Sequence, residues 1–526
     1  MKLEMLAWTI AMTSCAALVA PVLLPAQERA EENRAKHHRY SLVDIGTFGG
    51  PESNINPLGN GHPYVSSQGT TVGTSATLIP SSSATNGFFC GGLDGTTPFV
   101  FHAFEWQDGD VTDLGALPPA ADNCSSALAV NARGEIAGGS ENGLIDSATS
   151  VKEIRAVVWE DGKIRNLGTF GGNFSAAASI NSRGQVAGFA LNAIPEPLSM
   201  FAVVLGGSSA GTQTRAFLWE KGEMRDLGTL GGPDAWGIFV NESGEVAGYS
   251  YTNSTPNATT GFPTTDPFLW KNGRMIDLGT LGGTFGSPNA LNNQGQVVGQ
   301  SNLPGDQPGN SDPFLWDGEK LVDLFTTSIG GNPLTANAIN DAGEIVGFAA
   351  FPNGAFDAYL WKGGVATDLG TLAGDCFSEA VAINSKGQVV GYSFSCASNT
   401  TRSFLWENGS MVDLNTLIPP NSNLQLVETL AINDRGQIAG DGLPPGCLND
   451  VQCGHAYVLI PCESGDSDAD GCKDKGEDTA VATERSSAPA TRPADATQGK
   501  LTSEILVALR VRFARRYRGF ETGPRN

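Results

Sequence analysis

AFLWEKGEMRDLGTLGGPDAWGIFVNESGEVAGYS, residues 216–250, decides the reading of this chain, because it returns with variations from near residue 40 to near residue 462. Three motifs follow one another in it. The first is an apolar run ending in Trp and a turn: EWQDG, VWEDG, LWEKG, LWKNG, LWDGE, LWKGG and LWENG, centred on Trp106, Trp159, Trp219, Trp270, Trp316, Trp361 and Trp406. A copy without Trp, HAYVLI, stands at 455–460. The second motif, DLGTLGG at its fullest, starts at Asp113, Asn166, Asp226, Asp277, Asp323, Asp368 and Asp413, and once more at Asp44 with no Trp run ahead of it. The third is a run of small residues closing on I-N-x-x-G-Q-V-V-G, as in AVAINSKGQVVGYS at 380–393.

Each motif is short, alternating or rich in β-branched and aromatic residues, and bounded by Gly, Asn or Pro, which is the pattern of strands joined by tight turns. Between residues 40 and 462 no stretch carries a 3.6-residue apolar period, so no helix is expected there. The N-x-x-G step and the x-x-G after Trp supply residues that tolerate positive φ, as hairpin turns require. One repeat therefore holds four strands in two hairpins, the content of a propeller blade. Side-chain bulk orders them. The innermost strand of a radial array is crowded and favours the Ala and Ser of SSALAVN, SAAASIN and SEAVAIN. G-Q-V-V-G is then second, A-F-L-W third and D-L-G-T-L outermost.

The ends fit one another. Tyr40 to Gly46 is an outer-strand motif without a blade, and the last repeat, from about Leu426 to Ile460, lacks an outer strand. The expected fold is all-β: an eight-bladed β-propeller of four-stranded blades spanning 40–462, closed by residues 40–46 as the outer strand of the last blade. An open solenoid of the same units is the competing arrangement, and the complementary ends favour closure.

The combination of x-A-F-L-W, D-L-G-T-L-G-G and A-I-N-x-x-G-Q-V-V-G resembles the HAF family of extracellular repeats. Its strand–N/D-x-x-G–strand step is similar to that of NHL-type propeller repeats. Only His102 and His455 keep the histidine of the family name. The resemblance implies an extracellular setting and a propeller-like fold. It brings no active-site residues.

In this strand order the N-x-x-G and x-x-G turns share one face. The long second-to-third connections, 76–99, 141–153, 191–213, 251–265, 302–311 and 441–454, all emerge on the other. Binding residues favour such loops on a rigid scaffold. The cysteines follow the same geometry: Cys124 and Cys376 lie in outer-to-inner connections, and Cys90, Cys396, Cys447 and Cys453 in second-to-third ones. The expected disulfides are Cys90–Cys124, Cys376–Cys396 and Cys447–Cys453, with Cys462–Cys472 tying the tail to the last blade. A set of metal ligands is the rival reading, but the spacings lack CxxC and the chain has only five histidines. The recurrent Asn131, Asn181, Asn241, Asn292, Asn340, Asn384 and Asn433 read as turn residues bonding their own backbone, and the tryptophans as packing between blades. Trp236 breaks the small-residue pattern of its strand, with a core role or a place at the channel mouth.

Residues 1–26 read as a signal peptide, with Lys2 ahead of an apolar stretch, although Glu4 is unusual there. Cys15 is a weak imitation of a lipoprotein cleavage site. After the repeats, 463–477 contains DSDADGCKDKGE, which matches a calcium loop with Asp466, Asp468, Asp470, Asp474 and Glu477 as oxygen ligands. Residues 478–499 read as a disordered linker, and 500–520 as a basic amphipathic helix that offers the one expected membrane contact.

A formal net charge of −23 argues against nucleic acid as a partner. No HExxH, GxSxG or P-loop is present. The expected protein is a monomeric, exported, non-enzymatic scaffold, secreted, periplasmic or cell-surface, that presents protein- or glycan-binding sites on its loop-rich face, with calcium in the tail loop as the sole cofactor. The alternatives are a glycan lyase or hydrolase with carboxylates at the channel mouth, and a lectin-like adhesin with one weak site per blade.

Overall fold

The structure, a computed structural model, describes residues 37–55, 63–81, 98–119, 121–147, 149–204, 211–307, 309–448, 450–462 and 472. The signal peptide (1–26), Cys90, the calcium loop apart from Cys472, the linker and the basic helix lie outside the described residues.

The repeat quoted at the outset spans two sheets. Its small-residue run forms strand Ala235–Val240, followed by Val246–Tyr251, Thr265–Lys271 and Arg274–Asp277, paired antiparallel in chain order. Four other sheets repeat this, beginning at Gly49, Ser125, Gly171 and Gly286. A nine-stranded sheet consists of two more such units, 332–370 and 377–413, joined by the single parallel pair Phe356↔Phe377. The last sheet contains Gln425–Ile432, Ile438–Leu443 and His455–Pro461, and its fourth strand is Tyr40–Asp44, which runs antiparallel to His455–Pro461 from Tyr40↔Pro461 to Asp44↔Tyr457. This is the blade construction of a β-propeller, with inner, second, third and outer strands in the order that side-chain bulk implies.

The second glycine of G-Q-V-V-G has a steric cause. A Cβ on Gly299 would lie 2.1 Å from the Ser287 carbonyl oxygen and 2.8 Å from the Phe314 ring. The end of the third-strand aromatic ring thus rests on a bare patch of backbone. Equivalent glycines are equally closed, from 2.0 Å at Gly138 to 2.4 Å at Gly347.

Neighbouring units pack through mixed clusters. One joins Ala187, Ala216 and Leu218 of one unit to Ala235, Val240, Val246 and Phe268 of the next. Trp159 donates its indole N–H to the Leu114 carbonyl of the preceding unit, and the Arg225 guanidinium lies 5.0 Å over the Trp270 ring.

The turn asparagines add a bond that spacing alone does not suggest. Asn292 Oδ1 accepts from its own turn, Gln294 N and Gln296 N. Its Nδ2 donates across the gap to the Asn340 carbonyl oxygen at 3.0 Å. The same step runs from Asn131 to Asn181, Asn181 to Asn241, Asn241 to Asn292, Asn340 to Asn384 and Asn384 to Asn433. Asn433 then donates to the Ser66 carbonyl at 2.8 Å. Ser66 occupies the asparagine position of the first unit, where its hydroxyl accepts from Gln68 N and Thr70 N. All seven asparagines are 3–7% exposed. At the opposite strand ends, inner-strand serines hold the preceding unit: Ser175 Oγ accepts from Ala156 N and donates to the Gly168 carbonyl, and Ser53 does the same to Ala456 N and the Gly46 carbonyl.

Two expectations need correction. Short helices occur at Met200–Val204, Leu324–Thr327 and Asp450–Cys453, where none was expected, because four or five residues are too few to display a helical period. The insertions 76–99, 141–153 and 191–213 are also not loops throughout. Their flanks extend the second and third strands as a hairpin, through pairs such as Pro80↔Phe99, Ile145↔Lys152 and Pro195↔Thr212.

Replacing Asn292 by Ala strands two turn N–H groups and breaks the bond to the next unit, leaving the Asn340 carbonyl with Gly343 N alone, and each buried unpaired group costs about 1–3 kcal/mol. We expect urea denaturation to show a loss of roughly 2–4 kcal/mol for Asn292→Ala. Asn292→Asp, which keeps the turn acceptor but loses the donor, should cost at least as much at neutral pH.

Candidate functional site

The loop-bearing face is built from the starts of inner strands, the ends of second strands and the hairpin insertions. Disulfides staple it: Cys376–Cys396 joins an outer-to-inner connection to a second-to-third one, Cys447–Cys453 closes the last insertion, and Cys462–Cys472 holds the following segment. Cys124 is disulfide-bonded as well, and its expected partner Cys90 lies outside the described residues.

Toward the axis an aromatic group covers the inner strands of adjacent units. Trp236 stacks on Tyr249 (6.2 Å between centroids) and contacts Phe189 (3.9 Å), so it belongs to the core with 9% exposure. The helix Met200–Val204, carried by the third unit's insertion, sets Phe201 against Phe174 at 4.6 Å and against Phe189 at 5.3 Å. Asp234 anchors this cap. Fully buried at the head of the Trp236 strand, it accepts Met200 N at 2.6 Å and Thr214 N at 3.1 Å, one bond from each side of the insertion. Burial, with a smaller contribution from Glu196, pushes its carboxyl up to about 7 against the two N–H bonds and Arg215.

The seventh and eighth units are polar at the equivalent places. Buried Glu379 accepts from Asn337 Nδ2 at 2.8 Å and pairs with the Tyr392 hydroxyl. Glu428 and Asp441 face each other across the ladder, and Asp441 accepts Ile55 N at 3.0 Å.

At the outer rim, the Asp or Asn of each outer strand opposes a third-strand aromatic or valine, and in four units a third-strand side chain two residues earlier reaches that acid. His102 Nδ1 lies 3.0 Å from Asp113, Arg215 Nε 3.0 Å from Asp226, Arg402 NH1 3.0 Å from Asp413 and His455 Nδ1 2.9 Å from Asp44. The hydrogen bond from His102 holds Asp113 below the usual carboxylate range, and that from His455 does so for Asp44. In the other four units the place belongs to Arg155, Asp266, Asp312 and Asp357.

The expected calcium ligands Asp466, Asp468, Asp470, Asp474 and Glu477 lie outside the described residues. Among the described residues no group of three or more His, Cys, Asp or Glu side chains is arranged to hold a metal. Sequence reading missed Asp234 and the rim pairs. Their available signal was an acid at the head of one inner strand, and the changing residue two before each third-strand aromatic.

No family model matches the chain, and no curated protein matches it. Among solved structures it is similar to a prolyl endopeptidase (9% identity, TM-score 0.41, covering 80% of this chain and 58% of that one). It is also similar to TolB from Acinetobacter baumannii (11%, 0.29, 65% and 64%). A third likeness is to the gluconolactonase XC5397 from Xanthomonas campestris (9%, 0.27, 65% and 90%). The chain spans less than two thirds of the first two of these. At such identities and TM-scores the likenesses carry no functional argument.

Asp234 holds its proton more tightly folded than unfolded, so its contribution is fully present at low pH and is lost as pH rises from the ordinary carboxylate range, 3.8, through about 7. Comparing the parent with Asp234→Asn by denaturation between pH 4 and pH 8 should isolate a fall on the order of 2 kcal/mol in the parent. The Asn variant, which cannot titrate there, should lack that slope.

Proposed function

We propose that the chain is an exported, non-enzymatic β-propeller scaffold, a closed ring of eight blades of the HAF repeat type, that binds a partner protein through its loop-bearing face. Closure is supported by three links between the ends of the chain: Tyr40–Asp44 completing the last sheet, Asn433 bonding Ser66, and Ser53 bonding Ala456. Export is supported by the disulfides, which persist in oxidising compartments. No helix among the described residues is long and apolar enough to cross a membrane.

The observation that carries the binding face is the placement of exposed apolar side chains. Leu78 (69% exposed), Leu144 (60%), Ile145 (52%), Ile194 (55%) and Leu448 (94%) all stand on second-to-third insertions, of the first, second, third and last units. Single exposed apolar residues need no explanation, but a crest of them on insertions from four units suits a protein partner. The turn face is instead knitted by inter-unit hydrogen bonds, such as Ser182 N and Oγ to Glu242 and Asn293 N to Asp341.

A second reading, a glycan-active enzyme, draws on Glu428 facing Asp441, with Glu379 bonded by a tyrosine in the adjacent unit. One experiment separates the two. The immobilised mature protein is offered the exported fraction of its producing cells and, in parallel, a panel of polysaccharides assayed for cleavage. We expect saturable protein capture without turnover, lost in the Leu78→Ser/Leu144→Ser/Ile194→Ser variant at unchanged Tm and kept in Glu242→Lys on the other face. Polysaccharide cleavage abolished by Glu428→Gln or Asp441→Asn alone would select the enzyme instead.

A further inference from the structure

Lys152 departs from the usual placement of its residue type. A lysine normally lays its stem along the surface and keeps its ammonium in water. Lys221, Lys271 and Lys362, which pair with carboxylates, do so with side chains 87%, 44% and 73% exposed. Lys152, at the start of the third strand Lys152–Glu160, has a side chain only 5% exposed. Its Nζ lies 3.0 Å from Asp122 Oδ2 and 3.5 Å from Glu141 Oε2, and it donates to the Asp122 carbonyl oxygen at 2.7 Å.

Three segments converge on this amine. Asp122 stands on the connection that leaves the first unit's outer strand, and Glu141 on the second strand of the second unit. Lys152 stands where that unit's insertion returns to the sheet at the pair Ile145↔Lys152. Glu141 is fully buried, and its Oε2 also accepts Cys124 N at 3.0 Å. The bond to the Asp122 backbone carbonyl holds the amine beside the carboxyl group of the same residue, a placement that turns a bimolecular step into an intramolecular one. Two carboxylates and one ammonium are costly to withdraw from water. Removing one charge of each sign relieves that cost and leaves Glu141 an N–H to accept. The Asp122 side chain is still partly exposed, so a small leaving group can reach solvent.

We propose that Lys152 and Asp122 condense to an intramolecular isopeptide bond, with Glu141 as the catalytic acid and base. The ammonium passes one proton to Asp122 Oδ2, which leaves a free amine facing a carboxylic acid. The nitrogen lone pair attacks Asp122 Cγ and the C–N bond forms. Glu141 takes a second proton from nitrogen and returns it to the departing hydroxyl, so the C–O bond breaks and water leaves. An ammonium and a carboxylate become an amide and one water, Glu141 is restored, and no oxidant, reductant or other co-reactant is needed. The link spans 30 residues of chain at the base of the second unit's insertion, close to the bonded Cys124. It does not depend on the partner-binding reading.

The test is mass spectrometry of the full mature protein after reduction and alkylation, which takes the disulfides out of the comparison. We expect a mass short by one water. Trypsin should fail to cut after Lys152, and the peptides containing Asp122 and Lys152 should be recovered as one branched species. Lys152→Arg keeps the charge but cannot form the link, and Glu141→Gln removes the proton carrier. Both variants should show their full mass and separate peptides. The parent's own mass decides the matter even where a variant fails to fold. Full mass in the parent, with the two peptides separate, would overturn the proposal and leave a buried ion pair. So would a water lost within one unbranched peptide, which assigns the loss to ring closure of Asp122 on the Asn123 nitrogen. A branched peptide undiminished in Glu141→Gln would overturn the part given to Glu141.

Discussion

The amide of the turn asparagine has one atom more than its own turn can use, and the architecture depends on where that atom goes. Oδ1 of Asn292 closes the hairpin locally by accepting two backbone N–H groups, as an Asx residue does in isolation. Nδ2 is then a buried donor, and leaving it unpaired would cost more than the bond itself returns. It donates forward to the Gln296 side chain and across to the next unit's carbonyl. Because the acceptor is the carbonyl of the next asparagine, each turn positions its successor. Repetition of one local geometry therefore sets the spacing of all the sheets near the axis. The bare glycines under the third-strand aromatics answer to a constraint within each sheet, since an added Cβ would meet a carbonyl of the same unit's inner strand.

This division of labour explains why the two faces differ. Where turns are tied to neighbouring turns, a longer connection would pull the amide away from its acceptor, and the N-x-x-G step accordingly keeps one length. The other ends of the strands carry fewer such ties, chiefly the inner-strand serines, so insertions accumulate there. They are held by other means: two disulfides, a buried carboxylate under a helical cap, and continued strand pairing. A rigid array of sheets with one permissive face is a scaffold on which loops can diverge without loss of the fold.

Much of this was legible in the residues. Strand order followed from the Ala and Ser content of one run, and the orphan motif at Tyr40 found its place because edges must be covered. The bonded cysteine pairs lie on the face their connections indicated. What was hidden has a common cause: it depends on contacts between units, which a repeat pattern does not encode. Asn181 reads as a turn residue whether or not its second hydrogen reaches Asn241. Asp234 looks like loop punctuation in GGPDAW until Met200 folds back onto it. The residue before A-F or P-F varies among His, Arg and Asp, and that variation acquires meaning only when the register places it on the outer-strand acid.

The same register bears on whether each repeat carries the same site. An adhesin with one weak site per blade needs equivalent groups at equivalent positions around the ring. Near the heads of the inner strands, the cross-strand pairs are Ser126↔Gly139, Ala176↔Phe189, Trp236↔Tyr249, Ser287↔Gln300, Glu379↔Tyr392 and Glu428↔Asp441. The third and fourth units are aromatic there, and the seventh and eighth are acidic. The motifs that build the blades are uniform, while the side chains near the mouth are not. Structural positions thus repeat from unit to unit while the inner-strand heads do not, and among the described residues the exposed apolar side chains of the second-to-third insertions, on the last and first three units, show the same asymmetry.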